Sequence, residues 1–452
     1  MSEGNASELR AIGYSAGNLG KNLLWSAADL TLLFILTDIL GLPPGFAGTV
    51  MMLALVGDMV IDLSAGRLAA AAERYGIGYG HMLWVFAPAC ALSFAILYAL
   101  AGAGRGDPAG IVLALVAFRI FYGLLDIPHN AMMPHVATDS RARGRVSGYR
   151  YIFSSIATLL VTLWLAPEVS AASLTGEAAD LATFGVVAAG LSVLTLWIAA
   201  GCFRAPARRS DSPVGRVRIL PRFSADYVKL LALGLLAGGA SAMFARSMIY
   251  YGTHYLADAG AAARILSALV VGQLAGAVVW SAASQRFDSR HVLALANAAS
   301  ALLVPGFLLL PPDLQPIGGF LIGAALAGVF ALPWAILSDV IDADDVRFGR
   351  RYEPQAVSLF VTVLKGGAAI GIAAMGWTLD AVGYDGAGSR SPAIAAAVLG
   401  LTVIPATLGG LAASAIAWSL KGSHASHARH REQLARRRAA APPTDKKHEG
   451  DI

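Results

Sequence analysis

Two carboxylates four residues apart, Asp58 and Asp62, lie inside the apolar stretch Leu53-Ala-Leu-Val-Gly-Asp-Met-Val-Ile-Asp-Leu-Ser-Ala-Gly66. On a helix that spacing stacks both acids on one face, about a turn apart. A carboxylate in a lipid-spanning helix costs at least ~2.5–3.5 kcal/mol, and two like charges together cost more. Such a pair persists if it faces a protein interior and meets a cation, a proton or a basic side chain. A cation or proton site is the expectation; the plainer alternative is a pair of acids bridged to neighbouring helices. Lys365, in Val361-Thr-Val-Leu-Lys-Gly-Gly-Ala368, is also too deep in an apolar run to be a loop residue. It calls for a carboxylate partner, and Asp58 and Asp62 are the natural candidates.

Other polar side chains recur inside apolar runs. Lys21, Asn22, Trp25, Ser26 and Asp29 follow one another at helical spacing and share a face. A tryptophan beside amide and carboxylate groups suits a sugar, whose C–H face stacks on the ring while its hydroxyls take the polar groups; an interhelical polar seam is the alternative. Arg119 and Asp126 are seven residues apart, again on one face, and either line a cavity or neutralise each other. His129 reads as a loop-facing residue near a helix end rather than a proton relay. Arg246 is expected to bind a helix carboxylate or an anionic group of a substrate. The acids Asp339, Asp342, Asp344 and Asp345, followed by Arg347, Arg350, Arg351 and Glu353, form a mixed cluster able to gate by exchanging ion pairs, or an ordinary solvated loop.

The elements that must hold these groups are membrane helices. The chain is 56% hydrophobic and 14% charged over 452 residues, against about 25% charged in soluble domains. Twelve spans are expected near 13–40, 45–68, 79–102, 109–136, 146–167, 180–202, 227–252, 263–284, 290–312, 315–339, 356–382 and 393–420. Each is long enough to cross ~30 Å of hydrocarbon. Domain boundaries follow: an N-terminal six-helix bundle over 1–202, an arginine-rich connector over 203–226, a C-terminal bundle over 227–420, and a disordered basic tail over 421–452. Arginines collect in the connector, the tail and alternate loops, which places both termini in the cytoplasm. The polar start, Met1 to Arg10, lacks the features of a cleaved signal, so the first apolar run is expected to stay as a helix. Cys90 and Cys202, both in apolar runs, indicate neither a disulfide framework nor a metal cluster. No phosphate-cradling loop and no nucleophile–base or metal-ligand constellation stands out, so an enzyme or an ATP-driven pump is not expected. An even helix count with a basic mid-chain loop is the layout of two-bundle secondary transporters, whose sites sit near the midplane between the halves.

Several of these stretches together resemble the glycoside–pentoside–hexuronide:cation symporters of the major facilitator superfamily, the melibiose-carrier-like family. They are Gly20-Lys21-Asn22, Thr37-Asp-Ile-Leu-Gly-Leu42, Asp58-Met-Val-Ile-Asp62 and Asp126-Ile-Pro-His-Asn130 with Arg141 to Arg150. Ser338-Asp-Val-Ile-Asp342, Gly349-Arg-Arg351 and Val363-Leu-Lys-Gly-Gly367 complete the set. The resemblance covers most of the chain. It implies that the family's cation-site carboxylates fall on Asp58 and Asp62, its sugar-binding fourth-helix acid on Asp126, its eleventh-helix lysine on Lys365 and its loop arginine on Arg150. There are departures. The first-helix acid of the melibiose carrier is Asn22 here, with Asp29 two turns on as a substitute; an asparagine of the second helix is Ile61; a fourth-helix threonine is Gly123; and the cavity tryptophan is Asn130. Gly66-Arg67-Leu68 resembles the superfamily's second-to-third loop, but Ala69 to Ala72 lack its acid.

The expected fold is therefore an all-α polytopic membrane protein in two pseudo-symmetric six-helix bundles, the major facilitator fold. The expected function is cation-coupled symport of a sugar or glycoside across a bacterial inner membrane by alternating access. Loss of side-chain oxygens at Ile61 and Gly123 disfavours Na⁺, a hard cation needing several oxygen ligands, and leaves a proton site intact, so H⁺ is favoured as the coupling ion. Substrate is expected on Lys21, Asn22, Trp25, Asp29, Arg119, Asp126, Asn130, Arg150 and Arg246, coupling on Asp58, Asp62 and Lys365, and gating on Asp339, Asp342, Arg350 and Arg351. Apart from the coupling ion no cofactor is expected; the partners are a small solute and the bilayer, not nucleic acid, and the chain is expected to be a monomer. One alternative is a carrier of a hexuronide, a lipid-like anion or another organic anion, read from Arg119 and Arg246. Another is a membrane sensor or scaffold that no longer transports. The symporter account needs the second-helix carboxylates to be reachable from an aqueous path.

Overall fold

The computed structural model describes residues 3–74, 78–103, 108–136, 140–175, 180–202, 224–349, 353–386 and 391–421, with isolated positions between 429 and 436. Within these, the side chains of 3–7, 62–63, 65–74, 134–135, 140–144 and 353–354 lie outside the described residues. The central connector falls almost wholly outside them, as does most of the tail.

Among the described residues, twelve helices are long and apolar enough to cross a membrane: α1 (Glu8–Ile39), α2 (Pro44–Ile61), α3 (Tyr79–Gly102), α4 (Pro108–Ala131), α5 (Arg145–Thr175), α6 (Leu181–Cys202), α7 (Ala225–Tyr255), α8 (Ala261–Arg286), α9 (Ser289–Leu308), α10 (Pro312–Phe348), α11 (Gln355–Ala381) and α12 (Pro392–Trp418). No strand occurs among the described residues. The helix count matches the sequence expectation; α10 continues nine residues beyond its expected end because the acidic segment 339–345 stays helical.

Local chemistry sets the ends. Gly41 takes the left-handed conformation (φ 65°) before Pro43 and Pro44, which close α1 and open α2. Ser224 and Ser391 cap α7 and α12, accepting from Tyr227 N and Ile394 N at 3.3 and 3.2 Å. Gly349 (φ 70°) ends α10, its N–H donating to Asp345 O at 2.9 Å. Outer faces carry bare aliphatic side chains such as Leu113 and Val278, about 70% exposed (71% and 72%), as a lipid-facing surface requires.

Within one half α1 packs on α5 and α6, and α3 on α4 and α6; within the other α8 packs on α10, and α9 on α10 and α12. The halves meet along α2 with α11, α5 with α8, and α1 with α7. Small residues allow the closest approach, as is usual where lipid supplies no hydrophobic drive. At the α2–α11 seam a Cβ on Gly376 would lie 2.5 Å from Pro44 O and 2.8 Å from Gly48 Cα. Gly376→Val is expected to lower stability by about 1–3 kcal/mol, the usual cost of overpacking. The melting temperature of the purified protein in detergent reads this directly; an unchanged value would mean the seam is soft.

Among the described residues, four short π-helical turns interrupt these helices: Ile35–Ile39 in α1, Val161–Leu165 in α5, and Ala237–Ser241 and Tyr251–Tyr255 in α7. All lie on helices of the interface between halves. Such turns are concentrated at functional positions in general.

Candidate functional site

α1, α4 and α5 converge on a polar network. Lys21 Nζ lies 2.5 Å from Asp126 Oδ1 and donates to Asn130 Oδ1 at 3.1 Å. Asn130 Nδ2 donates to Asp126 Oδ2 at 3.0 Å, one helical turn away. Arg150 closes the group from α5, donating through Nη2 to Asn130 Oδ1 at 2.5 Å and through Nε to Asn18 Oδ1 at 3.1 Å. Asn18 Nδ2 in turn donates to Ser154 Oγ at 3.2 Å. The Lys21 side chain is 5% exposed and that of Asp126 25%. The carboxylate is thus the more open member of the pair, with the ammonium buried behind it.

Asp126 does not pair with Arg119, contrary to one sequence expectation. Seven residues is nearly two turns, about 10 Å along the axis, so the two point to different neighbours. Arg119 reaches α2 instead, its Nη1 3.0 Å from Asp58 Oδ2, with both side chains under 5% exposed (3% and 4%). Its guanidinium also lies over the Trp25 ring, 4.9 Å from the centroid, and Lys365 Nζ lies 5.7 Å from the same ring. Tyr122 packs against Trp25 with centroids 5.3 Å apart. Arg119 from α4 is thus a base that meets Asp58, and this carboxylate is buried rather than open to an aqueous path in this conformation. A guanidinium over an indole in a water-poor site gains cation–π attraction, which holds it beside the acid. The side chain of Asp62, the second acid of the pair, lies outside the described residues.

Arg246 finds a helix carboxylate, one of the two expectations. Its Nη2 lies 3.2 Å from Asp29 Oδ1, and its Nη1 donates to Gly238 O at 3.1 Å, a carbonyl of the π-helical turn Ala237–Ser241. This pair ties α1 to α7, so Asp29 is already engaged across the halves. Asn22 turns its amide back to Asn18 O at 2.9 Å. His129 is fully buried rather than loop-facing: its ring stacks on Tyr14 at 4.8 Å, and Tyr14 OH donates to its carbonyl at 2.9 Å. Gly17 makes the room, since a Cβ there would meet His129 Nε2 at 2.6 Å. Asp339 and Asp342 are half-buried on α10; Arg350 and Arg351, their expected gating partners, lie outside the described residues.

Sequence reasoning left one cluster unassigned. Where α1, α5, α7 and the segment after α11 meet, Asp38 gathers Ser173, His254, Tyr384 and Thr37. Asp38 stood inside the quoted Thr37–Leu42 motif, but apart from Thr37 its partners Ser173, His254 and Tyr384 are more than a hundred residues away, so no local spacing marks them.

Twelve membrane-length helices among the described residues, with charged pairs buried within and between the halves, are the layout of a membrane carrier. The chain belongs to the MFS/sugar transport protein family, which matches residues 13–420. It is 24% identical to the inner membrane symporter YicJ of Escherichia coli (strain K12), over 87% of this chain and 88% of that protein. It is 23% identical to the glucuronide carrier protein homolog of the same strain, over 82% and 83%. In fold it is similar to the inward-open conformation of the xylose transporter XylE from E. coli, with TM-score 0.62 and 12% identity, covering 95% of this chain and 98% of that one. It is a multi-pass transporter with the major facilitator fold, and not an enzyme.

Proposed function

We propose that the protein carries a sugar-like solute with a proton by alternating access between its bundles, in a bacterial inner membrane with both termini cytoplasmic. The observation that carries the substrate side is the Lys21–Asp126–Asn130 arrangement, in which a part-exposed carboxylate is held by a buried ammonium. A carboxylate accepts from two sugar hydroxyls, and charge-assisted bonds of this kind are the strong ones. Trp25 and Tyr122 supply an aromatic surface beside it.

The proton side rests on Asp58. In this conformation Arg119 already balances its charge, leaving little for Na⁺ to gain. A proton removes that charge and releases the guanidinium, so loading Asp58 breaks a buried pair and favours a different packing of α2 and α4. The domain boundaries at 202, 226 and 420, and the gating role of Asp339 and Asp342 with Arg350 and Arg351, belong to the same proposal.

A second reading is favoured by Arg150. Among the described residues its hydrogen-bond partners are the neutral Asn18, Asn130 and Met133 Sδ, with the guanidinium 5.9 Å from the Tyr14 ring centroid, whereas Arg119 and Arg246 are matched by aspartates. A uronate carboxylate would find its cation at Arg150 rather than at either of those arginines. Uptake into proteoliposomes distinguishes the readings. A proton gradient without Na⁺ is expected to drive accumulation, and strict dependence on Na⁺ would defeat the coupling assignment. Inhibition by neutral glycosides places the substrate among sugars; inhibition by uronates alone transfers it to the anion reading.

A further inference from the structure

The Asp38 cluster lies at the end of α1, apart from the midplane site, and spans both halves of the carrier. Asp38 Oδ1 is 2.6 Å from His254 Nε2, accepts from Tyr384 OH at 2.7 Å and from Ser173 Oγ at 3.1 Å. Its Oδ2 accepts from Thr37 Oγ1 at 2.7 Å, and Thr37 Oγ1 lies 2.9 Å from Tyr250 OH. Tyr384 OH is also 2.6 Å from His254 Nε2. Asp38 is 6% exposed, and Thr37 and Tyr250 at most 1%. Beside it Ser170 of α5 bonds Thr253 of α7, both fully buried. Gly45 N donates to Asp380 Oδ1 at 3.3 Å and Trp377 Nε1 to Thr49 Oγ1 at 3.1 Å, so this end is laced between the halves by several polar bonds.

Both charged members sit on π-helical turns. Leu40 N donates to Ile35 O and Leu256 N to Tyr251 O, each 3.0 Å and each spanning five residues. The wider turns set Asp38 and His254 facing each other across the seam.

We propose that Asp38 and His254 form a proton-binding site built across the two bundles, and that the proton held there tightens the closure of this end of the carrier. A protonated imidazole facing an ionised carboxylate binds by charge; a neutral ring leaves hydrogen bonds alone. Histidine is the side chain whose charge changes between about pH 5 and 8. Closure is therefore strongest on the acid side of that range and weakens as pH rises.

The groups facing the pair are few. α1 brings Thr37 and the Phe34 ring, α5 brings Ser173, α7 brings Tyr250, and the segment after α11 brings Tyr384, with Asp385 next to it acting on that phenol. Burial, and then the charge of Asp38, push the Tyr384 phenol upward, so it stays a neutral donor across this range.

The test uses the full-length protein with Cys90→Ala, Cys202→Ala and Ser170→Cys, so that the new thiol lies in the closed end. Alkylation by a maleimide is followed at about pH 5.5 and about pH 8 in this protein and in the same protein carrying His254→Gln. The second protein removes the charge, keeps a hydrogen-bonding side chain, and cancels the intrinsic pH dependence of the thiol. The ratio of the two rates, charged over uncharged, is expected to rise about tenfold from acid to alkaline pH, the equivalent of about 1.4 kcal/mol between the two charge states of the pair. Parallel profiles would overturn the proposal. If His254→Gln fails to fold, Asp38→Asn serves the same comparison. No substrate is present, so the outcome stands apart from the solute and from Asp58.

Discussion

Asp58→Asn is expected to fold and insert, yet to lose uphill accumulation entirely, its internal solute reaching only the external concentration. The reason is the Arg119 contact at 3.0 Å. On the proposed coupling, the carboxylate is either paired to the guanidinium or protonated, and those two states favour different packings of α2 and α4. Asparagine has one charge state, so occupancy of the site no longer reports on proton supply. Coupling is reciprocal, and solute and proton would cease to affect each other's binding. The substitution also strands a buried guanidinium, which costs about 3–5 kcal/mol when one partner of a buried pair is removed. Asp58→Asn with Arg119→Gln is expected to regain most of that stability without regaining accumulation. Comparing accumulation and melting temperature in the single and double variants separates the two losses. Full accumulation in Asp58→Asn would move the coupling site elsewhere.

Asp126→Asn should weaken solute binding by about 30- to 150-fold, the equivalent of the roughly 2–3 kcal/mol that a hydrogen bond to a charged group contributes. The effect is expected in KM for counterflow exchange, where no ion gradient is needed. Asp126→Glu keeps the charge and should recover part of the loss. Asp126 also anchors Lys21 at 2.5 Å, so the loss combines a missing acceptor with a displaced ammonium. A KM unchanged in Asp126→Asn would remove this carboxylate from the binding site and leave it as a partner of Lys21 alone.

The span count and the two-bundle layout were legible in the sequence because hydropathy over about twenty residues is a one-dimensional signal. The residue types of the midplane were legible for a similar reason: charge inside an apolar run is rare. The pairing was not. Arg119 and Asp126 share a helix face, but a shared face places two side chains in one sector and says nothing of depth. Lys21 and Arg119 each met an acid on another helix because α1, α2 and α4 bring those heights together. His129 looked like a helix-end residue, yet Gly17 lets α1 close over it and bury it fully. The Asp38 cluster depends on positions 38, 173, 254 and 384, a set that only tertiary packing assembles.

The neighbours of Trp25 have a practical consequence. Its indole lies 4.9 Å from the Arg119 guanidinium and 5.7 Å from the Lys365 ammonium, so two cations set the field across its ring. An excited indole is sensitive to nearby charge, and release of Arg119 would shift the colour of its emission. With the other tryptophans replaced, the protein carries its own optical reporter of the state of the second-helix acid, with no dye attached.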